Sequence, residues 1–157
     1  MAISHIYEEG WRFAYRGIVP QEFLDSIPEG RWAYCLDRKG VGSLVVVEDG
    51  QLIGTSSYSQ SRWEQFSGFG EIISIYMLPQ YMGKGYGRRL LEAAVAELEK
   101  FGYQDIFLWV LAQNQRARKF YEKCGFTPTE HVMDHEIGGE MLQEGQYYRS
   151  NQTNRKA

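Results

Sequence analysis

The sequence predicts a mixed α/β fold: one domain with a single sheet and helices on both of its faces. Three observations carry this prediction. Segments of helical and strand periodicity follow one another as helix, helix, strand, strand, strand, helix, strand, helix, strand, strand. Asp49-Gly50, between two strand-like runs, is the two-residue turn of an antiparallel hairpin. Alternate glycines Gly83, Gly85 and Gly87 join a strand to the longest amphipathic helix.

Ile6, Tyr7, Gly10, Trp11, Ala14 and Tyr15 recur at helical spacing, so the chain opens on a helix that Gly17-Ile18-Val19-Pro20 ends. A second helix is expected from Pro20 to Ile27, whereas Trp32 to Leu36 fits neither period. Ser43 to Glu48 reads as a strand and Gln51 to Ser59 as its antiparallel return. A polar loop, Ser59 to Gly68, carries Trp63 and Phe66, and Phe69 to Leu78 is the next strand. After the glycine loop, Leu90, Leu91, Ala94, Val95 and Leu98 share one helix face, and Gly102 is placed to cap its C-terminus.

Ile106 to Leu111 is a buried strand. Asn114 then caps a helix whose Ala117, Phe120, Tyr121 and Cys124 share a face and which Gly125 ends, with Phe126 expected to pack back on it. Glu130 to Ile137, a turn at Gly138-Gly139, and Met141 to Arg149 form a closing hairpin. Residues 1–149 are thus one domain, and residues 150–157 a polar tail expected to fray.

Composition narrows the function. At 157 residues, with 43% hydrophobic and 15% aromatic content, the chain is long and apolar enough for a real core. Net charge is −3 with Lys and Arg scattered, which argues against a nucleic-acid surface but leaves room for a local anion pocket. Cys35 and Cys124 stand in no metal or redox spacing and read as reduced thiols. No run approaches the ~20 apolar residues that span a bilayer, so no membrane association is expected. The N-terminus lacks a basic region followed by an apolar stretch, so a cytoplasmic location is expected. His131 and His135, four apart on a strand, lie ~13 Å from one another, and no metal site is expected.

The glycine loop carries the most chemistry. Its amides and those of the first helical turn have no intrahelical partner, and the helix dipole favours negative charge there. Lys84, Arg88 and Arg89 add cations. A Walker loop requires Ser or Thr after its Gly-Lys, but Gly85 follows Lys84. A dinucleotide fingerprint puts its first glycine at the strand end, where Pro79-Gln80-Tyr81-Met82 intervene here.

What remains is Gln-x-x-Gly-x-Gly at Gln80, Gly83 and Gly85. Tyr76-Met77-Leu78-Pro79 precedes it, and Leu108-Trp109-Val110-Leu111 comes later, followed by Asn114-x-x-Ala117-x-x-Phe120-Tyr121-x-x-x-Gly125-Phe126. In these motifs, and in Tyr147-Tyr148-Arg149, the chain resembles the GNAT superfamily of acetyl-CoA-dependent N-acetyltransferases from about Trp11 to Arg149. The resemblance implies a mostly antiparallel sheet in which two adjacent parallel strands, Ile72 to Leu78 and Ile106 to Leu111, splay apart around acetyl-CoA. It also implies that the family's first strand is missing, which leaves Ser43 to Glu48 as an edge. A neighbouring copy, making a homodimer, or the extreme N-terminus is expected to cover that edge.

The resemblance assigns coenzyme binding to Leu78, Gln80, Met82, Gly83, Lys84, Gly85, Tyr86, Gly87, Arg88, Asn114 and Ala117. Asn114 reads equally as a plain N-cap. Three catalytic groups are implied for direct attack through a tetrahedral intermediate: Glu71 as base, the Met77 backbone N–H as oxyanion donor, and Tyr121 as acid to the departing sulfur. The even spacing of Glu71 and Met77 on a strand places them on one face. From spacing alone Glu71 is equally a surface carboxylate and Tyr121 a core aromatic. Trp11, Tyr15, Glu22, Phe23 and Asp25, from the first two helices, and the loop with Trp63 would line the acceptor side for a small-molecule or peptide amine. A non-catalytic acyl-CoA sensor is the alternative.

Overall fold

The computed structural model describes residues 2–34 and 37–150; Cys35 and the tail 151–157 lie outside the described residues. Helices α1 (Ala2–Ala14) and α2 (Gln21–Asp25) lead into the hairpin β1 (Gly42–Glu48) and β2 (Gln51–Gln60). A loop with a 3-10 turn at Glu64–Phe66 precedes β3 (Gly70–Met77). A second 3-10 turn, Pro79–Tyr81, leads to α3 (Tyr86–Lys100), β4 (Asp105–Leu111), α4 (Gln115–Lys123), β5 (Thr127–Ile137) and β6 (Glu140–Ser150).

The six strands form one sheet in the order β1-β2-β3-β4-β6-β5. All neighbours are antiparallel except β3 and β4, which run parallel and pair only at Gly70↔Ile106 and Glu71↔Phe107. Beyond those positions the two strands part, giving the splay that the resemblance implied. Both hairpins turn on consecutive left-handed residues, Asp49 (φ 51°) with Gly50 (φ 77°) and Gly138 (φ 62°) with Gly139 (φ 85°), the primed turn that matches strand twist.

Ile72, Leu91, Val95, Ile106, Leu108, Tyr121 and Phe126 form the core between the sheet and α3 and α4. On the opposite face Val19, Leu24, Ile27, Leu111, Ile137 and Leu142 pack with Trp11, Tyr15 and Phe23 of α1 and α2. Gly10 brings α1 onto the sheet: a Cβ there would lie 2.8 Å from Tyr76 Cδ1. Among the described residues no strand precedes α1, and β1 forms an edge with Val45 41% and Val47 56% exposed.

Several expectations shift. Helix α1 begins at Ala2, because Ile3, Ser4 and Tyr7 belong to its buried stripe. Strand β5 starts at Thr127, before a register shift between Pro128 and Val132. Ser150 belongs to β6 and not to the tail, since it pairs with Asp105. Strand β3 also carries an irregularity: Ser57 pairs with Ser74 but Tyr58 with Ile72. Ile72 and Ile75 consequently both face α3, and the parity argument for Glu71 fails. Glu71 shares a face with Ser74 and Tyr76, not with the Met77 side chain.

Candidate active site

The glycine loop presents a row of free donors. Tyr81 N–H donates to Leu78 O and Met82 N–H to Pro79 O, and the next such bond is Arg89 N–H to Gly85 O. Between them, among the described residues, no backbone N–H from Gly83 to Arg88 donates to a carbonyl. Gly83 (φ 78°) and Gly85 (φ 87°) are left-handed and face open space, with no atom within 4 Å of where a Cβ would sit. Successive amides turned by such glycines make an anion-binding concavity.

Neighbours hold this loop in place. Tyr86 Oη donates to Glu48 Oε1 at 2.6 Å, and Lys84 Nζ lies 5.6 Å from the centre of the Tyr81 ring. Buried Leu78 and half-buried Met82 anchor it to Leu90. Gln80, Lys84 and Arg88 are exposed around it. A Cβ at Gly87 would meet the Phe120 ring at 3.5 Å, so α3 and α4 come together beside the loop.

The opening between β3 and β4 leads from this loop into the sheet. Leu78 N–H donates to Ile53 O of β2 at 2.8 Å. Strand alternation therefore aims the Met77 N–H the other way, into the opening, where β4 no longer pairs. Across the gap, Asn114 Oδ1 accepts from Ala117 N at 3.2 Å, which confirms the cap and leaves its Nδ2 without a partner among the described residues.

Tyr121 is buried, its ring packed against Phe120, Phe126 and Tyr147, and its hydroxyl has no hydrogen-bond partner among the described residues. Burial, reinforced by Tyr15 and Cys124, pushes its phenol well above the ordinary tyrosine range, so it stays protonated. From the opposite face, Tyr15 Oη lies 3.1 Å from Tyr76 Oη. Tyr7 supports this pair, its ring 4.9 Å from that of Tyr76 and its hydroxyl 2.9 Å from Ser74 Oγ. Tyr121 thus lies close enough to Tyr15 and Tyr76 that, beyond the effect of burial, Tyr15 raises the pKa of Tyr121, and Tyr15 and Tyr121 raise that of Tyr76.

Glu71 is 1% exposed and fully engaged. Arg62 Nη2 donates to its Oε2 at 2.7 Å, Arg62 Nε to Oε1 at 3.2 Å, and the Arg62 N–H to Oε1 at 3.1 Å. Trp11, Tyr15 and Phe23 cluster, with Trp11 4.8 Å from Tyr15 and 6.4 Å from Phe23. Glu22 is not drawn in: it is exposed, and its side chain makes no hydrogen bond or ion pair among the described residues. The β5–β6 turn closes on α2, where a Cβ at Gly138 would lie 2.8 Å from Phe23 Cβ.

Sequence reasoning missed the brace beneath this wall. Buried Ser4 and Glu8 bond one another at 2.6 Å, accept from Trp32 N and Gly30 N respectively, and fix Trp32 stacked on Tyr7. The signal available was two polar residues on the apolar stripe of α1. No group of three His, Cys, Asp or Glu that could hold a metal occurs among the described residues. No helix is long and apolar enough to cross a membrane.

The family description "Acetyltransferase (GNAT) family" matches residues 2–126. The chain belongs to the GNAT family. Among curated relatives it is 29% identical over 145 residues to the uncharacterized N-acetyltransferase YuaI of Bacillus subtilis, covering 90% of this chain and 82% of that one. It is 28% identical over 130 residues to the L-amino acid N-acyltransferase MnaT of Escherichia coli, covering 82% and 74%. Among solved structures, YncA of Salmonella typhimurium with acetyl-CoA matches at TM-score 0.69 and 25% identity, over 96% and 87% of the chains. The PaiA N-acetyltransferase of Thermoplasma acidophilum with coenzyme A matches in fold at TM-score 0.68 and 23% identity, over 95% and 91%. This GNAT protein is an N-acetyltransferase with acetyl-CoA as cosubstrate.

Proposed function

We propose that the protein acetylates a primary amine of a small molecule or peptide by direct attack on acetyl-CoA. The observation that carries this reading is the row of partnerless amides from Gly83 to Arg88 at the mouth of the β3–β4 splay. Those amides suit a diphosphate, each charge-assisted bond contributing ~1.5–3 kcal/mol. Leu78, Gln80, Met82, Lys84, Tyr86 and Gly87 shape that grip, and Asn114 Nδ2 and the helix turn at Ala117 lie across the gap to orient the coenzyme arm. The thioester supplies an activated acetyl group and a sulfur leaving group.

The chain's own groups meet the remaining needs. The Met77 N–H stabilises charge developing on the carbonyl oxygen. Tyr121 holds a proton at Oη for the departing sulfur. Glu71 takes the amine proton through water once Arg62 releases one carboxylate oxygen. Trp11, Tyr15 and Phe23 form the acceptor wall, with exposed Glu22 at its rim. The relation to MnaT, named for L-amino acids, supports an amine acceptor. A free-thiol assay with acetyl-CoA over an amine library tests the reading. Thiol release with at least one amine is expected. Calorimetric binding of acetyl-CoA with no release for any amine would instead leave a sensor.

A further inference from the structure

We infer that the acceptor carries an oxygen hydrogen-bond acceptor, a carboxylate or an amide carbonyl, near its amine, and that Trp63, Trp109 and Gln146 receive it. The inference rests on the acetyl-transfer reading above and names the substrate class of that site.

Four buried side-chain donors lack any partner among the described residues: Arg38 Nε, Trp63 Nε1, Trp109 Nε1 and Gln146 Nε2. Three of these four gather at one place. The Trp63 and Trp109 rings lie 5.6 Å apart, and Gln146 of β6 pairs directly with Trp109 of β4. Gln146 is 3% exposed, and its oxygen already accepts from Thr129 Oγ1 at 2.8 Å, which fixes the amide so that only its N–H₂ end remains to be satisfied. Burying a donor without an acceptor is unfavourable, and the great majority of buried polar groups are paired. Three together mark a place where an acceptor oxygen belongs.

The place is right for the reaction. Trp109 stands two residues beyond Phe107, the last β4 residue paired with β3, and so where the strands part. Its strand neighbours Phe107 and Leu111 pack away from the α3–α4 core, Phe107 on Phe66 and Leu111 with α1 and α2, so Trp109 is on the acceptor face. Phe66 and Phe107 ring its indole at 6.2 and 6.3 Å, which excludes water and strengthens each hydrogen bond made there. Trp63 sits on the loop that also carries Arg62, and it lines an open concavity with Glu64 and Gln65, which brings solvent to this end of the cluster. All three donors are neutral, so they read an oxygen lone pair and not a particular charge. Carboxylate and amide carbonyl are the two sources to separate.

The test uses matched acceptors: an amino acid, its carboxamide, and the amine left by removing the carboxyl group, each taken with several side chains. The wild-type protein should prefer the acid, the carboxamide or both over the plain amine by at least ~10-fold in kcat/KM. Which of the two wins identifies the source. Trp109→Phe, Trp63→Phe and Gln146→Glu should shrink that preference through KM, while calorimetry shows acetyl-CoA affinity unaltered. Equal kcat/KM for all three acceptors in the wild type would overturn the inference and leave the donors bridged by water. Trp63→Phe lies in a surface loop and keeps the test open should the strand variants misfold. Indole fluorescence with coenzyme A present reads carbonyl-dependent binding without turnover. A quench with the carboxamide and none with the amine, alongside no thiol release, would keep this inference while removing acetyl transfer. No carbonyl-dependent quench would remove the inference alone.

Discussion

Removing the Tyr121 hydroxyl separates chemistry from packing, and the structure sets both magnitudes. In Tyr121→Phe the ring contacts with Phe120, Phe126 and Tyr147 survive. The hydroxyl has no partner among the described residues, so no protein hydrogen bond is lost and stability should change by less than ~1 kcal/mol. A positioned acid contributes ~10²–10⁴-fold, so kcat should fall by that factor, a barrier increase of about 2.7–5.5 kcal/mol. Affinity for acetyl-CoA should hold, since the loss belongs to the transition state. Because burial raises the Tyr121 pKa, the wild-type acid form persists above the ordinary tyrosine pKa of 10.0. No alkaline fall in kcat from this group is expected up to that pH. Steady-state kinetics by thiol release, calorimetry with acetyl-CoA and a thermal melt give the three readouts. Unchanged kcat in a folded variant would remove Tyr121 from the mechanism; a fall in kcat matched by a fall in Tm would reduce it to packing.

Gly85→Val should weaken coenzyme A binding at least ~10-fold through loss of one or more charge-assisted bonds, while left-handed strain at φ 87° costs about 1–2 kcal/mol of stability; titration calorimetry and a urea melt check both. Gly10→Ala places a methyl 2.8 Å from Tyr76 Cδ1. The Tyr76 ring is held by Tyr7 and Tyr15, so overpacking of ~1–3 kcal/mol should outweigh the helix-propensity gain of up to ~1 kcal/mol, read as a lower urea midpoint. Glu8 is buried, which alone would raise its pKa, yet bonds from Ser4 and Gly30 with the charges of Arg12 and His5 lower it from 4.5. Its folded pKa is below its unfolded one, so its stabilisation is fully present above pH ~4.5 and is lost as acid carries the pH through the lower value. Glu8→Gln should therefore be less stable than wild type at pH 7, with the gap closing on acidification.

The chain's own order of residues determined the fold class, the hairpin at Asp49-Gly50, the cap at Asn114 and the left-handed glycine loop. Each of these is a local matter: glycine permits left-handed φ, an asparagine oxygen reaches an amide three residues on, and periodicity selects a buried face. The proposal of Met77 and Tyr121 as site residues came from motifs, and their places beside the sheet did not. Only the tertiary structure showed that β3 and β4 pair at two positions and then part. The bulge in β3 overturned the parity expected of Glu71, because register depends on a partner strand that the β3 sequence does not contain. The same holds for Arg62 clasping Glu71 from nine residues away, and for Gln146 meeting Trp109 on the neighbouring strand. Contacts between residues distant in the chain are fixed by how the sheet assembles, so no local reading of the sequence supplies them.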